Sequence, residues 1–343
     1  MENVIIKISE MVINSKEIVE NEKVDSGNSQ YFAVFLIAFG FVGDYFFNYA
    51  LVRTDGQVAG AERNVDSSTH ENSKEEKIEN NVKIQTEKTD LWLQSIYKEN
   101  VYIESEDGLR LVASEFKTNE NIDKWVILFH GYTSKQSAIY DISRHYFEKG
   151  YNVLNPDLRA HGESEGKYIG MGWLDRKDLL LWIDYLLSNH PNSQIVLHGI
   201  SMGASTVMMA SGEILPVNVK VTVEDCGYTS VWDIFSSELK ARFNLPAFPV
   251  LNAASAVTNI RAGYNFREAS SIEQLKNSKT PMLFIHGGDD KFVPTNMVHQ
   301  VYNSANVDKE LVIVDGAGHA ESRFADEELY YSSVFNFINR FVK

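Results

Sequence analysis

One cysteine, Cys226, stands among 343 residues. A lone thiol excludes an internal disulfide framework and any Cys-rich zinc site. Basic residues are also scarce: 32 Lys and Arg face 47 Asp and Glu, a formal charge of −15. A nucleic-acid binder needs a basic surface to displace counterions from phosphate, so that function class is set aside. The acidity is spread along the chain rather than gathered into a binding tail, which suits solubility. No internal repeat occurs. What remains is ordinary globular composition, 44% apolar and 23% charged, with ample length for a large core.

Three zones precede the part that carries chemistry. Residues 1–30 form a polar extension in which Val4, Ile5, Ile8, Met11 and Val12 recur at helical spacing, predicting a short amphipathic helix. Residues 31–52, YFAVFLIAFGFVGDYFFNYALV, hold one charge, Asp44, and one amide, Asn48. Their length is that of a membrane-spanning helix, and Tyr45, Phe46, Phe47 and Tyr49 suit an interfacial belt. Asp44 would cost ~2.5–3.5 kcal/mol at mid-membrane, less near an interface. The competing reading is a buried helix of the main domain. The span is preferred because residues 53–90 hold no aromatic residue and read as a flexible linker. The expectation is a chain held to a membrane by residues 31–52, with the main domain outside the cell or, alternatively, in the cytoplasm. Lys16 and Lys23 on one side balance Arg53 and Arg63 on the other, so positive charge does not choose.

From residue 91 to 343 short apolar runs alternate with amphipathic helices. Strands are expected at 100–105, 109–115, 124–130, 151–155, 194–199, 219–224, 281–286 and 310–315. Helices are expected near 136–149, 173–189, 201–213, 295–304 and 324–341. The first two strands, split by Glu106-Asp107-Gly108, form a hairpin. The others are continuous apolar runs between helices, the signature of a parallel sheet covered on both faces. The fold class is therefore α/β: eight strands, mostly parallel, with helices on both faces. Helical patterns near 229–241 and 248–262 add a small cap at about 227–270.

The segment HGISMGAS lies where the run 194–199 meets the helix 201–213. Gly199, Ser201 and Gly203 have the spacing of a nucleophile elbow, a strained strand-to-helix turn that tolerates only small residues beside the serine. The turn lifts the hydroxyl above the sheet and aims a helix N-terminus at the reacting centre. A serine needs a base, and the base needs an orienting carboxylate. His319, in DGAGHAES just past the last strand, is the base. In HGGDDKFVP, one strand earlier, Asp290 is chosen as the acid over Asp289, and Asp225 is a further possibility. Oxyanion donors are expected from the N–H groups of Met202, after the nucleophile, and Tyr132, in the loop HGYTS.

In this order HGYTS, NPDLRAHGESEG, GISMG, HGGDDKFVP and GAGH resemble the α/β-hydrolase superfamily over about residues 98–343. Within it the chain is similar to bacterial serine esterases and lipase-like hydrolases, including the cinnamoyl-ester-hydrolase-like group, many with an N-terminal membrane anchor. The resemblance implies Ser201, Asp290 and His319 as the triad, with Tyr132 and Met202 as oxyanion donors. Arg159 and His161 are read as loop-fixing hydrogen bonders and His198 as a satisfied core residue. Trp232, Phe235, Phe243 and Phe248 would either line an acyl or aryl pocket or pack the cap onto the sheet. The expected reaction is hydrolysis of a small-molecule carboxylic ester without metal or organic cofactor. A peptidase or amidase of the same fold, and a non-catalytic binding protein on the same scaffold, are the alternatives.

Overall fold

Continuous apolar runs bury on both faces of a sheet, and here they do so in register. In the computed structural model, which describes residues 29–54, 57–58, 72–118 and 122–343, eight strands form one sheet. They are β1 (Glu99–Glu104), β2 (Arg110–Phe116), β3 (Lys124–Phe129), β4 (Asn152–Pro156), β5 (Gln194–Ile200), β6 (Val219–Asp225), β7 (Met282–Gly287) and β8 (Lys309–Val314). Across the sheet the order is β8-β7-β6-β5-β3-β4-β2-β1. β2 runs antiparallel to both β1 and β4, and every other pairing is parallel. The central strand β3 shows why the run is apolar throughout. Trp125, Ile127 and Phe129 enter the core on one face, while Val126 and Leu128 enter the core on the other.

The helices are α1 (Ser29–Leu51), α2 (Asn72–Ser95), α3 (Tyr140–Glu148), α4 (Asp175–Asn189), α5 (Met202–Ala210), α6 (Val231–Phe243), α7 (Ala247–Ala262), α8 (Asn296–Ser304) and α9 (Glu327–Ile338). A 3-10 turn at Gln136–Ile139 and short helical turns at Ser271–Leu275 and Ser322–Ala325 complete the set among the described residues. Helices α6 and α7 lie between β6 and β7 and form the cap. Ser230 caps α6 by accepting from the Asp233 N–H at 3.1 Å, and Asn244 ends it in the left-handed conformation.

The apolar segment 31–52 departs from expectation. Helix α1 packs along cap helix α7, and Phe46, Phe47 and Leu51 are buried in the core of the main domain. Asp44, the charge that seemed out of place, pairs with Arg261 of α7 at 2.5 Å and accepts from Asn48 at 2.9 Å. A Cβ added at Gly43 would lie 2.5 Å from the Ala253 carbonyl oxygen, so the two helices approach at backbone distance. The apolar surroundings of this half-helix are protein rather than lipid, and both select the same side chains. No helix among the described residues is long and apolar enough to cross a membrane. At the outer end Leu36, Ile37 and Phe41 remain 50%, 60% and 73% exposed. Past α1 the chain stays attached. Ile169 N–H donates to Leu51 O at 2.9 Å, and the Arg53 guanidinium donates to the carbonyls of Gly162 and Ser164 at 2.6 Å each.

The linker reading of 53–90 also needs correction, because α2 spans residues 72–95. Its Lys, Glu and Gln are good helix formers, and the stripe it buries is mostly polar: Gln85, Thr89 and Trp92. Gln85 accepts from Arg144 of α3 at 2.5 Å, and Asn81 donates to Phe324 O at 2.8 Å. Trp92 sits against Phe116 and Phe147, ring centroids 5.0 and 5.5 Å away. The amphipathic helix expected within residues 1–30 falls outside the described residues.

Candidate active site

The turn between β5 and α5 places Ser201 at φ 57° and ψ −114°, a strained conformation for a residue with a side chain. Close backbone contact explains the flanking glycines. A Cβ on Gly199 would lie 2.1 Å from Gly203 O, and one on Gly203 would lie 2.1 Å from Phe129 O. The Ser201 N–H is held by the Asp225 carbonyl at 2.8 Å. The sheet thus fixes the hydroxyl at its carboxyl edge, at the start of α5.

Three side chains scattered through the sequence meet there. His319 Nε2 lies 2.8 Å from Ser201 Oγ, and His319 Nδ1 lies 2.7 Å from Asp290 Oδ2. The second carboxylate oxygen of Asp290 accepts from the N–H groups of Phe292 and Val293, both at 2.9 Å. Burial alone would raise the Asp290 pKa, but hydrogen bonds from His286 and His319 hold it well below the usual carboxylate range. The carboxylate stays ionised and fixes the imidazole with Nε2 toward the serine. Asp289 is exposed. Asp225 is buried elsewhere and accepts from the Tyr330 hydroxyl at 3.1 Å.

His286, at the end of β7, is a member of this cluster that sequence reasoning passed over. Its Nε2 donates to Val293 O at 2.9 Å and lies 3.4 Å from Asp290 Oδ2. Burial disfavours its charge, yet Asp290 and Glu224 raise its pKa above the ordinary value. Its spacing four residues before Asp290 was the available signal. Glu224, buried on the neighbouring strand, is pushed up to about 8 by burial, despite opposing effects of His286 and the Gly227 N–H.

Two neutral histidines shape the loop opposite Ser201. His130 Nδ1–H donates to Gly131 O at 2.8 Å, and its Nε2 accepts from Leu158 N–H at 3.0 Å. His161 Nδ1–H donates to Arg159 O at 2.9 Å, and its Nε2 accepts from Thr133 N–H at 3.2 Å. Burial lowers His130 to about 4 and His161 to about 3, so neither is charged near neutral pH. Arg159 is held by Asp178 through two 2.7 Å bonds and by Asp107 at 3.1 Å. His198 lies buried between the hydroxyls of Tyr146 and Tyr330, 3.1 Å from each. The loop carries Tyr132 beside Ser201, and Met202 begins α5. Neither main-chain N–H donates to a protein group among the described residues, which leaves both available to an oxyanion.

An apolar cavity with about 780 Å³ of empty space, partly open to solvent, adjoins Ser201. Of the four aromatic candidates, Phe235 and Phe243 line it and the other two do not. Trp232 points away, stacked under the Arg267 guanidinium 3.5 Å from its ring centre, and Phe248 is 61% exposed. Three residues of α1, Phe46, Tyr49 and Ala50, line it instead. They were missed because their segment read as facing lipid. A second cavity opens beside Ser201 and His319, between Ser134 and Ala138 on one side and Ala320 and Arg323 on the other.

Cys226, Asp290 and His319 bring metal-ligating atoms within 4.8 Å of one another. Asp290 and His319 already bond each other, and burial pushes the Cys226 thiol well up, which disfavours the thiolate form that would ligate an ion.

A family model described as serine aminopeptidase, S33, matches residues 120–217. The uncharacterised protein YqkD of Bacillus subtilis is 30% identical over 216 residues, covering 62% of this chain and 70% of the relative. YfhR of Escherichia coli K12, also uncharacterised, is 23% identical over 248 residues, covering 70% of this chain and 80% of YfhR. Among solved structures, the esterase Pf2001 of Pyrococcus furiosus superposes with a TM-score of 0.59 at 27% identity, covering 72% of this chain and 93% of the esterase.

Proposed function

The chain belongs to the α/β-hydrolase superfamily and is a hydrolase; we propose that it cleaves carboxylic esters through an acyl-enzyme formed on Ser201. The observation that carries this reading is the unbroken chain Asp290–His319–Ser201, 2.7 and 2.8 Å per link, at the mouth of an apolar cavity. Similarity to an esterase structure supports it.

In the mechanism, Ser201 Oγ attacks the ester carbonyl as His319 Nε2 takes its proton. Asp290 stabilises the imidazolium and keeps the ring aligned. The tetrahedral oxyanion accepts from the N–H groups of Met202 and Tyr132, at the positive end of α5. His319 returns the proton to the leaving alcohol, which departs toward the cavity beside Ser134 and Ala320. Water enters on the same side and attacks the acyl carbonyl as His319 takes its proton; His319 then returns that proton to Ser201 Oγ as the bond to the serine breaks and the acid leaves. These residues complete the cycle without calling on a cofactor.

The test is turnover of p-nitrophenyl esters, aromatic acyl esters included, together with fluorophosphonate labelling. Ser201→Ala is expected to abolish both. Retained turnover in that variant would remove the mechanism, and absence of labelling in the wild type would favour a non-catalytic binding protein.

A peptidase reading draws on the family description and on Glu238 at the cavity wall, a carboxylate that could hold a substrate amine. Glu238 instead accepts from Arg242 Nε at 2.6 Å, which favours the ester. Aminoacyl p-nitroanilides decide between them: cleavage faster than that of the esters would reverse the assignment.

The exposed outer end of α1 supports a lipid-surface contact in place of the expected span. Cosedimentation with phospholipid vesicles tests it, and no binding at low salt would dismiss it.

A further inference from the structure

We propose that α1 is a working wall of the acyl site, and that Tyr49 and Ala50 on its last turn set the length of aliphatic acyl chain the enzyme accepts. This deepens the ester-hydrolase reading and rests on it. Phe46, Tyr49 and Ala50 recur at i, i+3 and i+4, so they share one helical face, and that face closes the cavity opposite Phe235, Leu239 and Phe243 of α6. The wall is fixed rather than loosely apposed. The Phe243 ring meets Phe46 and Tyr49 edge-on, with centroids 5.4 and 5.5 Å apart. Helix α1 itself is anchored to α7 by the Gly43 approach and the Asp44–Arg261 pair.

The chemistry of the enclosure selects its occupant. Polar groups at its edge are consumed by one another: Glu238 by Arg242, the Tyr228 hydroxyl by Met171 O at 3.0 Å, and the Tyr132 hydroxyl by Ala50 O at 2.7 Å. A polar acyl group would give up its water there without recovering hydrogen bonds. An alkyl chain gains about fourfold in binding per buried methylene. The cavity is lined from Ser201 past α6 to Leu251 and Ala254 of α7, mostly by apolar side chains.

The experiment compares kcat/KM for p-nitrophenyl acetate, butyrate, octanoate and laurate in the full chain, in Ala50→Phe and in Tyr49→Ala. For the wild type, octanoate is expected to exceed acetate by at least tenfold. Ala50→Phe, which fills the cavity beside the serine, should lower that octanoate-to-acetate ratio at least tenfold. Tyr49→Ala, which deepens the cavity, should raise the laurate-to-octanoate ratio at least threefold. Should Ala50→Phe fail to fold by thermal melting, Tyr49→Ala carries the test alone. Folded variants whose ratios stay within twofold of the wild type would overturn the proposal and leave the ester reading standing. A wild type that hydrolyses acetate with no gain toward octanoate would do the same. A wild type that cleaves none of the four would take down the ester reading, and this inference with it.

Discussion

The hydroxyl of Tyr132 donates to the main-chain oxygen of Ala50 across 2.7 Å, joining residues 82 apart in the chain. One partner carries a proposed oxyanion N–H and the other lies on the last turn of α1, so this bond ties the N-terminal helix to the Tyr132 loop. In Tyr132→Phe the N–H is retained but this tie is cut. The expected outcome is a fall in kcat on the order of tenfold with little change in KM, because a displaced donor is felt in the transition state. Thermal melting should register a loss of about 1 kcal/mol for the missing bond. Unchanged kcat would show that the loop holds its shape without α1.

Asp290→Asn should preserve the fold and lower kcat by about 10³–10⁴-fold, since an amide presents the wrong partner to the imidazole and permits the wrong tautomer. Asp289→Asn serves as its control, because that carboxylate is exposed. Comparable losses in both variants would mean that the acid has been misassigned.

Acid stability follows from His198, whose burial lowers its pKa to about 3. The unfolded chain takes up this proton below about pH 6.5 and the folded chain does not. Its neutral burial therefore costs nothing near pH 7 and removes stability as pH falls from 6.5 toward 3. His198→Gln lacks that titration. The stability difference between wild type and variant should move by about 2 kcal/mol in favour of the variant between pH 7 and pH 5. Denaturant titrations at the two pH values check it; a constant difference would mean that the histidine is charged in the fold or already neutral in the unfolded chain.

Gly43→Val tests the seating of α1. A side chain there meets Ala253 O and the Val257 side chain at under 3 Å, so the helices must separate. Overpacking of this kind costs about 1–3 kcal/mol. The melting temperature should drop, and ester turnover should fall with it if α1 closes the acyl site. A variant with wild-type melting would place α1 farther from α7 than described.

Why some of this was readable beforehand, and some not, comes down to the range of the interactions. The strands stand out because a parallel sheet buried on both faces needs unbroken apolar runs, as Trp125 to Phe129 show. The elbow at Ser201 stands out because its steric demand is satisfied within five residues. Asp44 did not, since its partner Arg261 lies far along the chain and nothing local announces the pair. Helix α2 was hidden because its buried stripe is largely polar and its large apolar anchors, Trp92 and Leu93, fall beyond the stretch that looked unstructured. Among the cap aromatics, composition could not say which face of α6 turns inward. Phe235 faces the cavity and Trp232, three residues earlier, is turned to Arg267.

The stitching of residues 51–53 onto the 162–169 loop bears on how the enzyme is prepared in the laboratory. Trimming the first fifty-odd residues as a dispensable leader would uncover the aromatic trench beside Ser201 and strip the partners from Phe243. The shortened enzyme would be expected to clump on expression and, where it survives, to lose its grip on greasy substrates before its attack on acetate.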